Sequence, residues 1–399
     1  MRRLLQGDVG SGKTIVAALA ALQAIENGAQ VAIMAPTEIL AEQHFLTFSS
    51  WLEPLGISVR SLTGRMPAAQ RARGHAEIRH GDALVVVGTH ALFQKDVEFA
   101  RLALVIIDEQ HRFGVHQRMA LRSKGALPHQ LVMTATPIPR TLTMALYADM
   151  EVSVIDELPP GRHPVETHLV SDARRAEVIA RIAQACSQGR QAYWVCTLIE
   201  ESDALDFRAA ETTAAELAAA LPGLSIGLLH GRLSSRDKAA VMEQFKAGRI
   251  GLLVATTVVE VGVDVPNATL IVIDNPERLG LAQLHQLRGR VGRGPEHSRC
   301  ILLYKAPLGA QSQARLKVLR ESNDGFRIAE EDLRIRGPGD VLGTRQTGEQ
   351  QFRVADLAVD AALVAHAADL AERIAESQPQ IAEAMIATWS PGSGDYTNV

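Results

Sequence analysis

The eight residues Gly7-Asp8-Val9-Gly10-Ser11-Gly12-Lys13-Thr14 have the types and spacing of a phosphate cradle. Glycines at this spacing let backbone N–H groups turn inward onto phosphate oxygens. In that pattern Lys13 reaches the β- and γ-phosphates, and the Thr14 hydroxyl ligates Mg²⁺. A second stretch, "LALVIIDEQH", ends in two carboxylates, with Asp108 suited to hold Mg²⁺ and Glu109 to orient or deprotonate an attacking water. A third, "QLHQLRGRVGRG", carries Gln286, Arg290 and Arg293 at roughly helical spacing, so one side of a helix is expected to present all three. Guanidinium groups suit the charge that spreads over a γ-phosphoryl in transfer.

These groups need a scaffold. "RRLLQ" before the glycine-rich loop predicts a short strand, and Thr14 to Asn27 predicts a helix closed by Gly28. That arrangement sets a positive helix N-terminus against the phosphates. The unbroken apolar run 102–107 predicts a strand covered on both faces of a parallel sheet, whose end opens on the ligand crevice.

The chain also repeats itself. Aligned without a gap, residues 61–90 and 228–257 superimpose Gly64-Arg65 on Gly231-Arg232, Gly81 on Gly248, and Thr89 on Thr256. Each stretch reads as turn, helix and apolar strand, and "LVIID" at 104–108 is echoed by "LIVID" at 270–274. Two copies of one α/β domain are expected. Only the first has the phosphate loop and the acidic pair, because Asp274 is followed by Asn275; only the second has the paired arginines. One nucleotide is therefore expected between the copies, with "ELPPGRHPVE" at 157–166 as the hinge. Thr37, Thr89 and Thr256 stand at strand ends, where short hydroxyls either bind nucleic-acid phosphates or cap helices.

Composition limits the alternatives. The 399 residues are 47% hydrophobic and 22% charged, which suits a globular chain of two or three domains. No apolar run approaches the ~18 residues of a membrane span. Three dispersed cysteines point to a reduced, cytoplasmic setting. A net charge of −4 supplies no global basic field and 4% aromatics argue against a base-stacking platform as the main binding mode, so any nucleic-acid contact must be local.

In this order, GDVGSGKT, APTEIL, DEQH, TAT (134–136), ATTVVEVGVDVP and QLRGRVGR resemble the motifs of superfamily 2 helicases over residues 7–293. "MTATPIPRTLTMALYADM", "YWVCTLIEES" and "NDGFRIAEEDLRIRGPGDVLGTRQTG" resemble the RecG family of branch-migration helicases. The transcription-repair coupling factor is the alternative, disfavoured by Gln110, Ser11 and the presence of "YWVCTLIEES".

The resemblance implies two tandem RecA-like parallel-sheet domains (1–157 and 158–305) and a mainly helical C-terminal region (306–399). It implies an ATP-dependent motor, using Mg²⁺, that remodels forks and Holliday junctions in recombination and repair and acts on double-stranded DNA as a monomer. Lys13, Thr14, Asp108, Glu109, Gln286, Arg290 and Arg293 would form its ATPase, with Asp264 touching the nucleotide. Thr134 and Thr136 would link hydrolysis to movement. A helical hairpin and loop over roughly 311–348 would couple the cleft to DNA through Arg334, Arg336, Arg345 and Gln346. The family's N-terminal wedge and adenine-contacting segment have no counterpart in this sequence, so its start is expected to be an internal methionine of a longer protein. A non-catalytic remnant that binds DNA or a partner, and an RNA motor, are the competing expectations.

Overall fold

The computed structural model describes the chain apart from residues 65, 95, 110–123, 125–126, 136–137, 139–149, 158–162, 198–202, 257–264, 295, 337–359 and 390–399. The first lobe is a sheet of seven strands: β1 (Arg2–Gly7), β2 (Gln30–Met34), β3 (Val59–Leu62), β4 (Val85–Gly88), β5 (Leu102–Asp108), β6 (His129–Thr134) and β7 (Glu151–Ile155). They lie side by side in the order β3-β4-β2-β5-β6-β1-β7. The second lobe has six: β8 (Glu166–Ser171), β9 (Gln191–Cys196), β10 (Ile226–Leu229), β11 (Leu252–Thr256), β12 (Ala268–Asp274) and β13 (Arg299–Tyr304). Their order is β10-β11-β9-β12-β13-β8, and every pairing in both sheets is parallel.

Parallel sheets bury both faces, and β2 shows how the sequence meets that demand. Val31 and Ile33 join one core with Phe48 and Leu52, while Ala32 and Met34 join the opposite core with Leu62 and Ile78. The period of two in side-chain direction thus splits one apolar run between two layers. The second lobe does the same with Tyr193 and Val195 on one side and Trp194 on the other.

Helices α1 (Lys13–Glu26), α2 (Glu38–Leu52) and α3 (Ala68–His80) belong to the first lobe. Helices α4 (Arg175–Ser187), α5 (Asp203–Ala220), α6 (Ser235–Lys246) and α7 (Leu281–Arg288) belong to the second. A hairpin of α8 (Ala310–Glu321) and α9 (Gly325–Arg336) follows, then α10 (Ala361–Ser377) and α11 (Pro379–Trp389). Leu316, Leu319 and Ile328 of the hairpin are buried in the second lobe's core, so part of the expected coupling segment is also structural. Among the described residues no helix is long and apolar enough to cross a membrane.

The duplication reaches side-chain detail. Gln30, at the start of β2, donates its amide to the carbonyls of Ile78 and Ala83, both at 2.8 Å. Gln191, at the start of β9, does the same to Phe245 (2.6 Å) and Ile250 (2.7 Å), which are the residues aligned with Ile78 and Ala83. Between each pair of carbonyls sits an aligned glycine with positive φ, Gly81 at 82° and Gly248 at 74°, which ends the helix as only glycine does without strain.

Candidate nucleotide cleft and its link to the hairpin

Because β5, β6 and β1 are neighbours, their C-terminal ends bring three separate sequence stretches to one edge. The loop after β1 reverses direction using Gly10 (φ 76°) and Gly12 (φ 93°), and α1 starts at Lys13. A side chain at Gly7 would meet Ser11 Oγ at 2.5 Å, so the loop closes tightly on itself. The Lys13 ammonium, almost fully buried, donates to the carbonyls of Gly7 (2.6 Å) and Asp8 (2.8 Å). Thr14 follows as the second residue of α1 and is half-buried.

Asp108 and Glu109 are the next pair at this edge. His44 Nε2, from α2, lies 2.8 Å from the Asp108 carboxylate and fixes its orientation. Glu109 has φ 52°, a left-handed conformation that a glutamate adopts only where its surroundings compel it. Its N–H is held by the Met133 carbonyl at 2.9 Å, and its carboxylate accepts the N–H of Ala135, from the segment 134–136. Burial, and after it the nearby Asp108 charge, raise the Glu109 carboxyl to about 7 against the opposing pull of Lys13 and Arg290. A carboxyl poised near neutrality is what a general base for water requires.

Arg290 therefore reaches this cluster from the second lobe, and it is buried. The single helix expected to carry Gln286, Arg290 and Arg293 is corrected here, since α7 ends at Arg288. Gly289 caps it, and Arg290 and Val291 continue as a turn through bonds to the carbonyls of Leu287 and Arg288. Glycines at 289 and 292, the latter with φ 78°, break the periodicity that the spacing suggested. Gln286 is half-buried on the helix, and Arg293 donates Nε to the Gly289 carbonyl at 3.2 Å. A Cβ on Gly289 would lie 2.8 Å from the Val9 Cβ, so the lobes touch at this point.

The threonines separate into two kinds. Thr37 accepts the Leu40 N–H at 3.3 Å and is the N-cap of α2. Thr89 and Thr256, aligned in the repeat, are buried, and among the described residues their hydroxyls have no hydrogen-bond partner. Thr134 is buried at the end of β6. Thr136, Asp264, Arg345 and Gln346 lie outside the described residues, as do 158–162 of the expected hinge, while Glu166 already belongs to β8. Arg334 is exposed on α9 with Nη2 2.8 Å from Glu331; Arg336 is the last residue of that helix.

Sequence reading missed a further cluster beside the loop. The Asp8 carboxylate lies 2.5 Å from His285 Nε2 on α7 and accepts the N–H of Gly325 at the start of α9. Arg288 Nη2 lies 2.8 Å from His285 Nδ1, and its Nη1 donates to the carbonyls of Leu319 (2.8 Å) and Ser322 (2.7 Å). Guanidinium only donates, so Nδ1 must accept and the ring proton sits on Nε2, facing Asp8. Burial alone would raise the Asp8 carboxyl, but His285, the Gly325 N–H and Arg288 outweigh it and hold it low.

Two parallel α/β lobes with a phosphate loop and acidic pair on one, and an arginine brought over from the other, define the core of a superfamily 2 helicase. Family models agree: DEAD/DEAH box helicase over residues 2–145, helicase conserved C-terminal domain over 175–295, and ATP-dependent DNA helicase RecG, domain 3, C-terminal over 322–389. The whole chain is 61% identical to the ATP-dependent DNA helicase RecG of Escherichia coli K12, of which it spans 58%. Against the protein of that name from Aquifex aeolicus it is 48% identical, with 96% of this chain and 49% of the relative covered. A solved structure of RecG bound to a three-way DNA junction matches with a TM-score of 0.74 at 46% identity, covering 91% of this chain and 47% of that one. Dbp5 of S. cerevisiae, at 17% identity and TM-score 0.59, shares the fold. The chain belongs to the RecG family, and it spans less than two thirds of the curated relatives it matches.

Proposed function

We propose that this chain is an ATP-driven motor that moves on double-stranded DNA and remodels branched junctions in recombination and repair. The observation that carries the reading is convergence: Lys13 and Asp108 of one lobe and the buried Arg290 of the other all act on the Glu109 carboxylate. The names of the relatives, and the junction bound by the solved RecG, support DNA as the track.

In this mechanism the loop N–H groups and Lys13 hold the β- and γ-phosphates of ATP. Thr14 and Asp108 are hard oxygen donors fitted to a magnesium ion, and Asp108 is held in place for it by His44. The ion, when bound, neutralises phosphate charge. Glu109 takes the proton of the attacking water, Ala135 N–H keeps its carboxylate aimed, and Arg290, with Arg293 and Gln286 behind it, answers charge developing on the γ-phosphoryl. Loss of that phosphoryl removes what draws Arg290 across, and the lobes part. All these groups come from one chain, so a monomer suffices.

Thr37, Thr89 and Thr256 would follow the DNA phosphates, Thr134 and Thr136 would transmit hydrolysis, and Arg334, Arg336, Arg345 and Gln346 would grip the duplex. The working division is 1–157, 158–305 and 306–399. Three free thiols fit a cytoplasmic setting, with burial raising all of them, Cys196 and Cys300 to about 12. Measuring ATP hydrolysis with and without forked DNA tests the proposal. Stimulation that disappears in Lys13→Ala and Glu109→Gln is expected; an unstimulated chain would instead be a binding remnant. DNA affinity should also fall steeply with salt.

A further inference from the structure

The turn between α8 and α9 is gripped from both sides. Arg288 takes the Ser322 carbonyl and Asp8 takes the Gly325 N–H, while His285 ties the two grips together. Asp8 belongs to the phosphate loop and the turn belongs to the hairpin, so a residue beside the nucleotide touches the element expected to push DNA. We propose that Asp8 is a positioning residue, the latch through which the phosphate loop sets the placement of the hairpin. This rests on the motor reading and deepens it: the hairpin would follow the loop directly as well as the opening and closing of the lobes.

Lys13 gives the latch its trigger. Its ammonium holds the carbonyls of Gly7 and Asp8 themselves. An ammonium drawn onto a phosphate loosens its hold on those carbonyls, and the Asp8 peptide is then free to shift. Two bonds limit that shift, because Asp8, His285 and Arg288 are bonded in series, and the last two residues are almost fully buried. Buried charge-assisted bonds have few alternative partners, so they move together or break together. Val9, packed on Gly289, gives the same loop a second contact with the far lobe and keeps Asp8 within reach of α7.

The test is amide hydrogen exchange on the whole chain, with and without a non-hydrolysable ATP analogue. In the unaltered chain the analogue should change the exchange rate of the peptide spanning 322–327 by about tenfold, the scale of one charge-assisted bond. In Asp8→Ala the analogue should still protect residues 7–14, but 322–327 should no longer respond. Asp8→Asn keeps an oxygen for the Gly325 N–H and should recover part of the response. A full response in Asp8→Ala overturns the latch, as does loss of protection at 7–14 in both variants, which would make Asp8 part of the nucleotide pocket alone. Hydrolysis of ATP by the unaltered chain is measured separately; its absence sinks the motor reading, whereas exchange reports the latch without turnover.

Discussion

Lys13 and Arg175 occupy the same place in the two lobes: each is the first residue of the helix that follows the strand at positions β1 and β8 of equivalent sheets. Lys13 faces loop carbonyls near the ends of the phosphate loop. Arg175 instead lies 2.9 Å from Asp274 and 3.3 Å from Asp172, with its guanidinium 4.8 Å from the centre of the Trp194 ring. Asp274 is the counterpart of Asp108, whose partner is His44 rather than a fixed cation. The second lobe thus pairs its acid with a resident guanidinium, where the first leaves its own beside a histidine. Even the backbone is inherited. Asn275 follows Asp274 with φ 50° and bonds its N–H to Leu303 at 2.9 Å, as Glu109 does to Met133. Asparagine tolerates that conformation better than glutamate does, so the shared backbone is strained mainly in the first lobe.

Exchanging the paired residues is the strongest way to break this comparison. Lys13→Ala should reduce ATP hydrolysis by about 10³-fold or more with little change in melting temperature. Arg175→Ala should do the reverse, costing the second lobe about 2 kcal/mol by stranding Asp274, while hydrolysis at 20 °C persists. Calorimetry and a steady-state assay on both variants decide it; parallel behaviour of the two would refute the asymmetry.

Glu109→Gln should lower hydrolysis by at least ~10²-fold, and Asn275→Glu should create none in the second lobe. The same variant sharpens the strain argument through pH. Glu109 has a raised folded value of about 7, so its contribution to stability is present in full below its unfolded value and is lost as pH rises through about 7. Chemical denaturation of the nucleotide-free chain should therefore show Glu109→Gln gaining on the parent from pH 4.5 to 7, by on the order of 3 kcal/mol, and levelling off above. A gain that grows toward acid would reverse the sign and exclude burial as the cause.

His44→Ala should leave Asp108 in place but unaimed, weakening metal-dependent hydrolysis about tenfold; raising magnesium should recover most of it. Smallest and most symmetrical are the glutamines. Gln30→Met and Gln191→Met each strand two buried carbonyls and should cost the same 1–2 kcal/mol, roughly, by thermal unfolding. Unequal losses would mean that the lobes are less alike than their backbones.

Local chemistry made the catalytic half of the cleft legible in sequence. Gly7 to Thr14 and the apolar run into Asp108 declare themselves within a few residues, and the repeat was readable because its glycines sit at the ends of helices. Pairings between distant residues were not readable. His44 with Asp108 and Asp8 with His285 join positions that no local period relates, and they exist only because parallel sheets bring their strand ends to one edge. The spacing of Gln286, Arg290 and Arg293 misled, because periodicity does not register that a glycine at 289 has stopped the helix. Capping and phosphate contact use the same hydroxyl chemistry, so only burial and partners could tell Thr37 from Thr89.

Gly289 turns the width of the cleft into a matter of one methyl group. With Val9 filling the space where a Cβ would stand, alanine at this position acts as a spacer between the lobes. Such a chain would keep Lys13 and Glu109 in their places yet hold Arg290 at a distance. It offers a handle for trapping the nucleotide-loaded, unclosed arrangement through which the proposed motor would pass.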